Sequence, residues 1–391
     1  MCGSKKDKMK RTIISILFLT ILVVLFSCSA KEHSSIEVIP YGVTSGGDTV
    51  TLFRLTNYSG ASMEVIDYGC RVVKIIVPDK KGEFDDVVLG YDDIKGYETG
   101  EERFFGALLG RYANRISNGR FIIDSVEYQL SCNNIPNGFP CHLHGGDMGF
   151  DRVMWHGEPF EQNDTIGVRF TRLSPDGEEG YPGNLNCEVK YFWTPENTWR
   201  IEYRATTDKA TIVNMSQHSY FNLKGQKGGT VLDNYLTVYA DSITPNNAGY
   251  VPIGEIVPVA GTPLDFRTPH TFLERIDQPN EHMRIMEGYS ANWVLNNQTG
   301  QLAKAAELSE PVSGRRLEVW TTEPGILIYT GRLLSEKIIG KQGRPLEKYG
   351  GLILETIHYP DTPNHPDFPS CVLRPGKEYH SVTEYRFASN N

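Results

Sequence analysis

Past its first residues the chain lacks long apolar runs, blocks of like charge and cysteine pairs at metal-binding spacing. After Phe26 no apolar stretch approaches the ~20 residues that a spanning helix requires, which excludes a multi-spanning membrane protein. Basic residues are in deficit, 39 Lys and Arg against 48 Asp and Glu for a net charge of −9. Nucleic acid and anionic membrane surfaces both demand a basic face, so neither is the expected main partner. Beyond Cys28 the cysteines are Cys70, Cys132, Cys141, Cys187 and Cys371, odd in number and with no C-x-x-C. That excludes a disulfide framework and a zinc cluster, and most read as small buried hydrophobes. One or two disulfides stay open, with at least one thiol left over. There is no P-loop or Rossmann fingerprint, no repeat and no Pro/Ser linker. Helical periodicity is scarce as well, with Thr271–Gln278 the best candidate for a helix.

What is present begins at the N-terminus. Lys5, Lys6, Lys8, Lys10 and Arg11 precede an apolar run from Ile13 to Phe26, the layout of a secretory signal. The run ends in Leu25-Phe26-Ser27-Cys28, which is similar to a bacterial lipobox. The expectation is therefore a lipoprotein signal over residues 1–28, with Cys28 acylated. A polar tether over 29–36 and one continuous domain over 37–391 would follow. The mature protein would be an exported monomer, anchored by lipid in a bacterial cell envelope, on the periplasmic or outer-membrane face.

The domain reads as strand almost throughout. Val50–Leu55, Val72–Val77, Tyr128–Leu130, Val168–Phe170, Val189–Trp193, Ile201–Tyr203 and Ile326–Tyr329 are short β-rich runs. Turn residues punctuate them at Asp79-Lys80-Lys81-Gly82, Ser117-Asn118-Gly119, Pro175-Asp176-Gly177, Gly225 and Gly228-Gly229. The class is all-β; this pattern alone leaves sandwich, barrel and propeller open.

Six motifs in order narrow the choice. They are Phe105 to Ile116 (with Gly110-Arg111-Tyr112-Ala113-Asn114-Arg115), His142-Leu143-His144-Gly145-Gly146, Asp176 to Gly183, Gln217-His218-Ser219-Tyr220-Phe221-Asn222, Thr321 to Gly331, and Leu354-Glu355-Thr356 through Asp361. Together they resemble the aldose 1-epimerase (galactose mutarotase) family across about residues 50 to 387. The resemblance implies a galactose mutarotase-like β-sandwich, a supersandwich, with an open sugar-binding cleft. It implies Glu355 as general base and His218 as general acid. Arg115 and His144 would hold the sugar, and Asn114, Ser219 and Tyr220 would line the same site.

The chemistry stands beside that resemblance. Exchange of anomers opens a hemiacetal ring and closes it on the other face. One group takes the proton of the anomeric hydroxyl and another delivers one to the ring oxygen. A carboxylate and an imidazole suit the two tasks, each typically worth about 10²–10⁴-fold. The substrate would be a free aldose such as galactose or glucose, and the reaction requires no cofactor and no metal. A structural cation such as calcium, held by loop carbonyls and carboxylates, is compatible with it. Glu355 lies among Leu352, Ile353, Leu354 and Ile357, and burying a carboxylate there without purpose is costly. Arg115 offers several fixed donors to hydroxyls. His142 and His144 share a strand face, which leaves a metal pair open by spacing; with no third ligand nearby, His142 reads as structural. Trp155, Trp193 and Trp199 read as core.

One motif departs from the resemblance. Gly288-Tyr289-Ser290-Ala291-Asn292-Trp293 carries Ser290 where the family has an aspartate that accepts from sugar hydroxyls. A charged hydrogen bond is worth about 1.5–3 kcal/mol, so the change bears on which sugar binds more than on the reaction. Ser290 is expected at the pocket wall. A sugar-binding lipoprotein of altered specificity or without turnover is the alternative function. No extra basic cluster is evident that would favour a sugar phosphate.

Overall fold

A computed structural model describes residues 33–389, so the signal segment and Cys28 lie outside the described residues. Polar and apolar residues alternating with period two dictate the long strands. In Leu185–Trp193 and Arg315–Thr321 every second side chain is buried, which leaves one face for a core and one for water. These strands belong to a nine-stranded antiparallel sheet. At its centre the last strand, Glu378–Ser389, pairs with Thr198–Thr207 on one side and Arg315–Thr321 on the other. The end of the chain therefore completes the middle of the sheet.

A six-stranded sheet packs against it in the order Tyr220–Phe221, Leu352–Ile357, Gly325–Tyr329, Ser290–Leu295, Ala240–Thr244, Val257–Pro258. All six residues of Leu352–Ile357 are buried, because both faces of this strand are covered. Leu354 and Thr356 face the large sheet, where Tyr385 donates to the Leu354 carbonyl (2.7 Å) and Thr356 meets the Thr383 hydroxyl (2.6 Å). The odd-numbered side chains point to the opposite face. A five-stranded sheet from Ser35–Val43 to Phe84–Asp86 closes the remaining edge of the core. The Trp193 indole donates to its Ala61 carbonyl at 3.0 Å.

The structure is a sandwich. Trp155, Trp193 and Trp199 are core residues, as expected. The five described cysteines are free, four of them buried and Cys132 half-buried. Two expectations fail. Thr271–Gln278 is not helical: Thr271 pairs with Tyr235, and successive four-residue turns such as Phe272 to Arg275 carry the chain onward. The described α-helices are instead Ile94–Thr99 and Glu281–Met286, capped by the Asp93 and Asn280 side chains. The tether also ends sooner than residue 36, because Ser35 and Ile36 already pair with Thr56 and Leu55. Ile36 packs on the core, and its apolar side chain is the reason the strand begins there.

Candidate active site

Strand register places the acid. On Leu352–Ile357 the odd positions face away from the large sheet, so Glu355 and Ile353 open onto a cleft of about 490 Å³, within the roughly 300–1,000 Å³ usual for small-ligand sites. Leu327 pairs with Glu355 and Tyr329 with Ile353 on the neighbouring strand, and both also line the cleft. Ser290 pairs with Tyr329 and extends the same wall. Glu355 is 0% exposed, and neither carboxyl oxygen has a protein hydrogen-bond partner. Burial pushes this carboxyl up to about 8, with Arg115 pulling the other way. The carboxyl thus holds its proton in the free cleft near pH 7, whereas the general-base role implied by the resemblance uses its ionised form.

His218 arrives from the short strand Ser216–His218, whose partner is Ala107–Leu109. Its Nδ1 is buried without a partner. Burial lowers this imidazole to about 3, so it is neutral in the free cleft. Over a wide pH range, then, the free cleft holds a protonated Glu355 and a neutral His218, each set by its own burial.

Two loops supply the remaining groups. Asn114 adopts φ +65° and His144 φ +51°, and their backbones lock together. The Asn114 N–H donates to His144 Nδ1 at 3.0 Å, and the His144 N–H donates to the Asn114 carbonyl at 3.1 Å. An Nδ1 that accepts leaves the proton on Nε2. Burial, reinforced by His218 and Arg115, keeps His144 well below its usual value and neutral. Gly145 makes the loop possible: its φ is +87°, and a Cβ there would meet the Gly110 carbonyl at 1.8 Å. Arg115 donates from Nε to Asn134 Oδ1 (2.9 Å), and its guanidinium lies 5.5 Å from the centroid of the Tyr250 ring. Phe104 packs against both imidazoles, its centroid 4.7 Å from His144 and 5.4 Å from His218, which themselves meet edge to face at 5.1 Å.

A protonated carboxyl and a neutral imidazole in one cleft, beside a guanidinium and a second imidazole with a fixed tautomer, can exchange protons with a bound hydroxylated ring. A family model described as Aldose 1-epimerase matches residues 51–386. The chain belongs to the aldose 1-epimerase family. It is 40% identical over 344 residues to the galactose mutarotase of Mus musculus, covering 88% of this chain and 96% of that one. It is 36% identical over 346 residues to the aldose 1-epimerase of Escherichia coli, covering 87% and 96%. Among solved structures, galactose 1-epimerase from Lactobacillus acidophilus superposes with a TM-score of 0.79 at 25% identity, covering 92% and 100%. This epimerase is accordingly an isomerase, an enzyme of the mutarotase class.

The epimerase cleft gathers the expected Asn114, Arg115, His144, His218, Tyr220, Ser290 and Glu355. Ser219 is the exception. Along this extended segment His218 and Tyr220 face the cleft, so Gln217 and Ser219 face the core, where the Ser219 hydroxyl donates to Gln217 Oε1 at 3.1 Å. The period-two rule applied to the sequence carries that signal already. His142 is structural as expected: it meets the Ser131 carbonyl at 2.8 Å and the Tyr181 hydroxyl at 2.7 Å. Sequence reasoning missed the residues just ahead of its first motif. Glu102 accepts from the Tyr220 hydroxyl (3.0 Å) and the Phe104 N–H (3.0 Å). Arg103 is held by both oxygens of the fully buried Asp151 (2.6 and 2.7 Å) and packs 4.9 Å from the centroid of Phe104. It also missed Tyr250 and Arg332, which no motif marks and which reach the cleft from separate turns.

Proposed function

We propose that this protein interconverts the α and β anomers of a free aldose by proton transfer between the sugar, Glu355 and His218. The observation that carries this reading is that both groups open into one cleft with Arg115 and His144. In the productive complex Glu355 takes the proton of the anomeric hydroxyl as His218 gives one to the ring oxygen. The C1–ring-oxygen bond breaks and an open-chain aldehyde forms. Rotation about C1–C2 and the reverse transfers close the ring on the other face. The opened complex thus has its proton on Glu355 and a neutral His218. That is the arrangement burial favours in the free cleft, and it offsets part of the instability of the open chain. Arg115 and the Nε2–H of His144 would position the hydroxyls. None of these steps calls for a cofactor.

The supporting experiment follows α-galactose and α-glucose to equilibrium by polarimetry or NMR. The wild type should relax both faster than buffer, and Glu355→Gln should remove most of the acceleration. Equal rates for the two proteins would defeat the assignment. We also propose that the protein acts as a monomer in a bacterial cell envelope, held by lipid on Cys28. The charged and apolar layout of residues 5–26 and the Leu25-Phe26-Ser27-Cys28 sequence support this. Metabolic labelling with a fatty acid, lost in Cys28→Ser, tests the anchor; light scattering of the mature domain tests the monomer.

A further inference from the structure

The end of the cleft beside Tyr250 is finished by groups that the hexose reading leaves unused. Arg332 follows the Gly325–Tyr329 strand and lines the cleft with its side chain 90% buried. Its Nε is buried with no hydrogen-bond partner. One terminal nitrogen reaches Glu287 at 2.9 Å, and the other makes a long 3.4 Å contact to the Tyr250 hydroxyl. Arg332 and Arg115 lie 5.7 and 5.5 Å from the centroid of the same Tyr250 ring. Two guanidiniums thus border one end of the cleft, and the terminal nitrogens of Arg115 have no protein acceptor among the described residues. Met286, Leu327 and Leu333 add apolar surface to the same cleft. Ser290 stands where the family resemblance expects an aspartate. An aspartate would repel an anion there, whereas a serine hydroxyl can donate to one.

We propose that the preferred substrate is an aldose bearing a carboxylate, a uronic acid, whose carboxylate is received by Arg332 and Ser290 within the field of Arg115. The proposal rests on the isomerase reading and names its substrate class. A planar carboxylate matches the fork of a guanidinium. A monoanion also suits a cationic end that already has Glu287 behind it, where a dianionic phosphate would meet added repulsion. The Nε, buried without a protein acceptor, leaves the Arg332 guanidinium with unmet hydrogen-bonding capacity at that end of the cleft.

The test compares mutarotation of glucuronate and galacturonate with glucose and galactose by NMR, on the full mature enzyme. The uronates should show kcat/KM at least about tenfold above their neutral parents, the effect of one charge-assisted hydrogen bond. Their methyl esters should lose that advantage. Arg332→Gln should cut the uronate-to-hexose ratio of kcat/KM by about tenfold, chiefly through KM. Should that variant fail to fold, the ester comparison on wild type decides alone. Esters used as well as the free acids overturn the proposal, as does glucose 6-phosphate used better than glucuronate. If neutral hexoses are accelerated and uronates gain nothing, this inference alone falls. If no sugar relaxes faster than in buffer, the isomerase reading falls with it.

Discussion

Leu327 sits directly across the strand pair from Glu355, so the carboxyl faces an isobutyl group where a hydrogen-bond donor would stabilise its charge. Both oxygens remain without protein partners, and burial raises the group to about 8. The proton affinity of the central acid is therefore set by its burial, with Arg115 opposing it, and the apolar Leu327 offers no donor to reverse it.

Leu327→Gln should lower that affinity. An amide N–H donated to the carboxylate favours the charged form, so the alkaline limb of kcat/KM should move down by about one pH unit. A pH–rate series on the variant and the wild type reads the shift directly. An unmoved limb would mean that the group at 327 does not reach Glu355.

The wild-type profile follows from the same pair. The one-proton state of Glu355 and His218 exists between their values of about 3 and about 8. Since kcat/KM reports the free enzyme, it should hold level through neutral pH and fall above about pH 8 as the last proton leaves. A fall centred near pH 6 would indicate instead that a histidine of ordinary basicity controls the rate.

Stability should respond in the opposite sense to that of an ordinary surface carboxylate. The unfolded chain ionises Glu355 near 4.5, whereas the folded chain holds its proton to about 8. The folded state is thus unpenalised below the unfolded value and loses stability progressively as pH rises toward the folded one. Glu355→Gln should be close to wild type at pH 4 and more stable by a few kcal/mol, about 2–5, at pH 8. Urea unfolding at the two pH values measures the difference, and a gain that is equal at both would refute its electrostatic origin.

Asp151 supports the ring cluster of Phe104, His144 and His218. It holds Arg103 through both oxygens and lies 3.6 Å from the buried Arg71. Asp151→Asn leaves two guanidiniums short of a counter-charge, and breaking a buried ion pair costs about 3–5 kcal/mol. Because Arg103 packs on Phe104 and Phe104 on both imidazoles, kcat should fall along with the denaturation midpoint. Retained kcat in a destabilised variant would separate this network from the chemistry.

The all-β class, the turns and most of the cleft residues were legible before any coordinates. Period-two alternation records which face of a strand is buried, and local motifs such as Asn114-Arg115 and His142-Leu143-His144 hold their chemistry within a few residues. The same alternation, applied strictly, separates Ser219 from His218 and Tyr220. The Thr271–Gln278 helix was misread because its residues are bound by pairing to Tyr235, a contact 36 positions away that no local pattern encodes.

The sequence by itself determined that a carboxylic acid, an imidazole and an arginine would be available, and where along the chain each lay. Only the tertiary structure decided their states. Desolvation keeps Glu355 protonated and His218 neutral, since the cost of a buried charge depends on everything around it. Tertiary packing likewise brought Arg332 beside Arg115 across Tyr250, although 217 residues separate the two arginines in the chain. Spatial proximity of that kind has no signature in periodicity or spacing, because it comes from the way distant turns meet at one end of the sandwich.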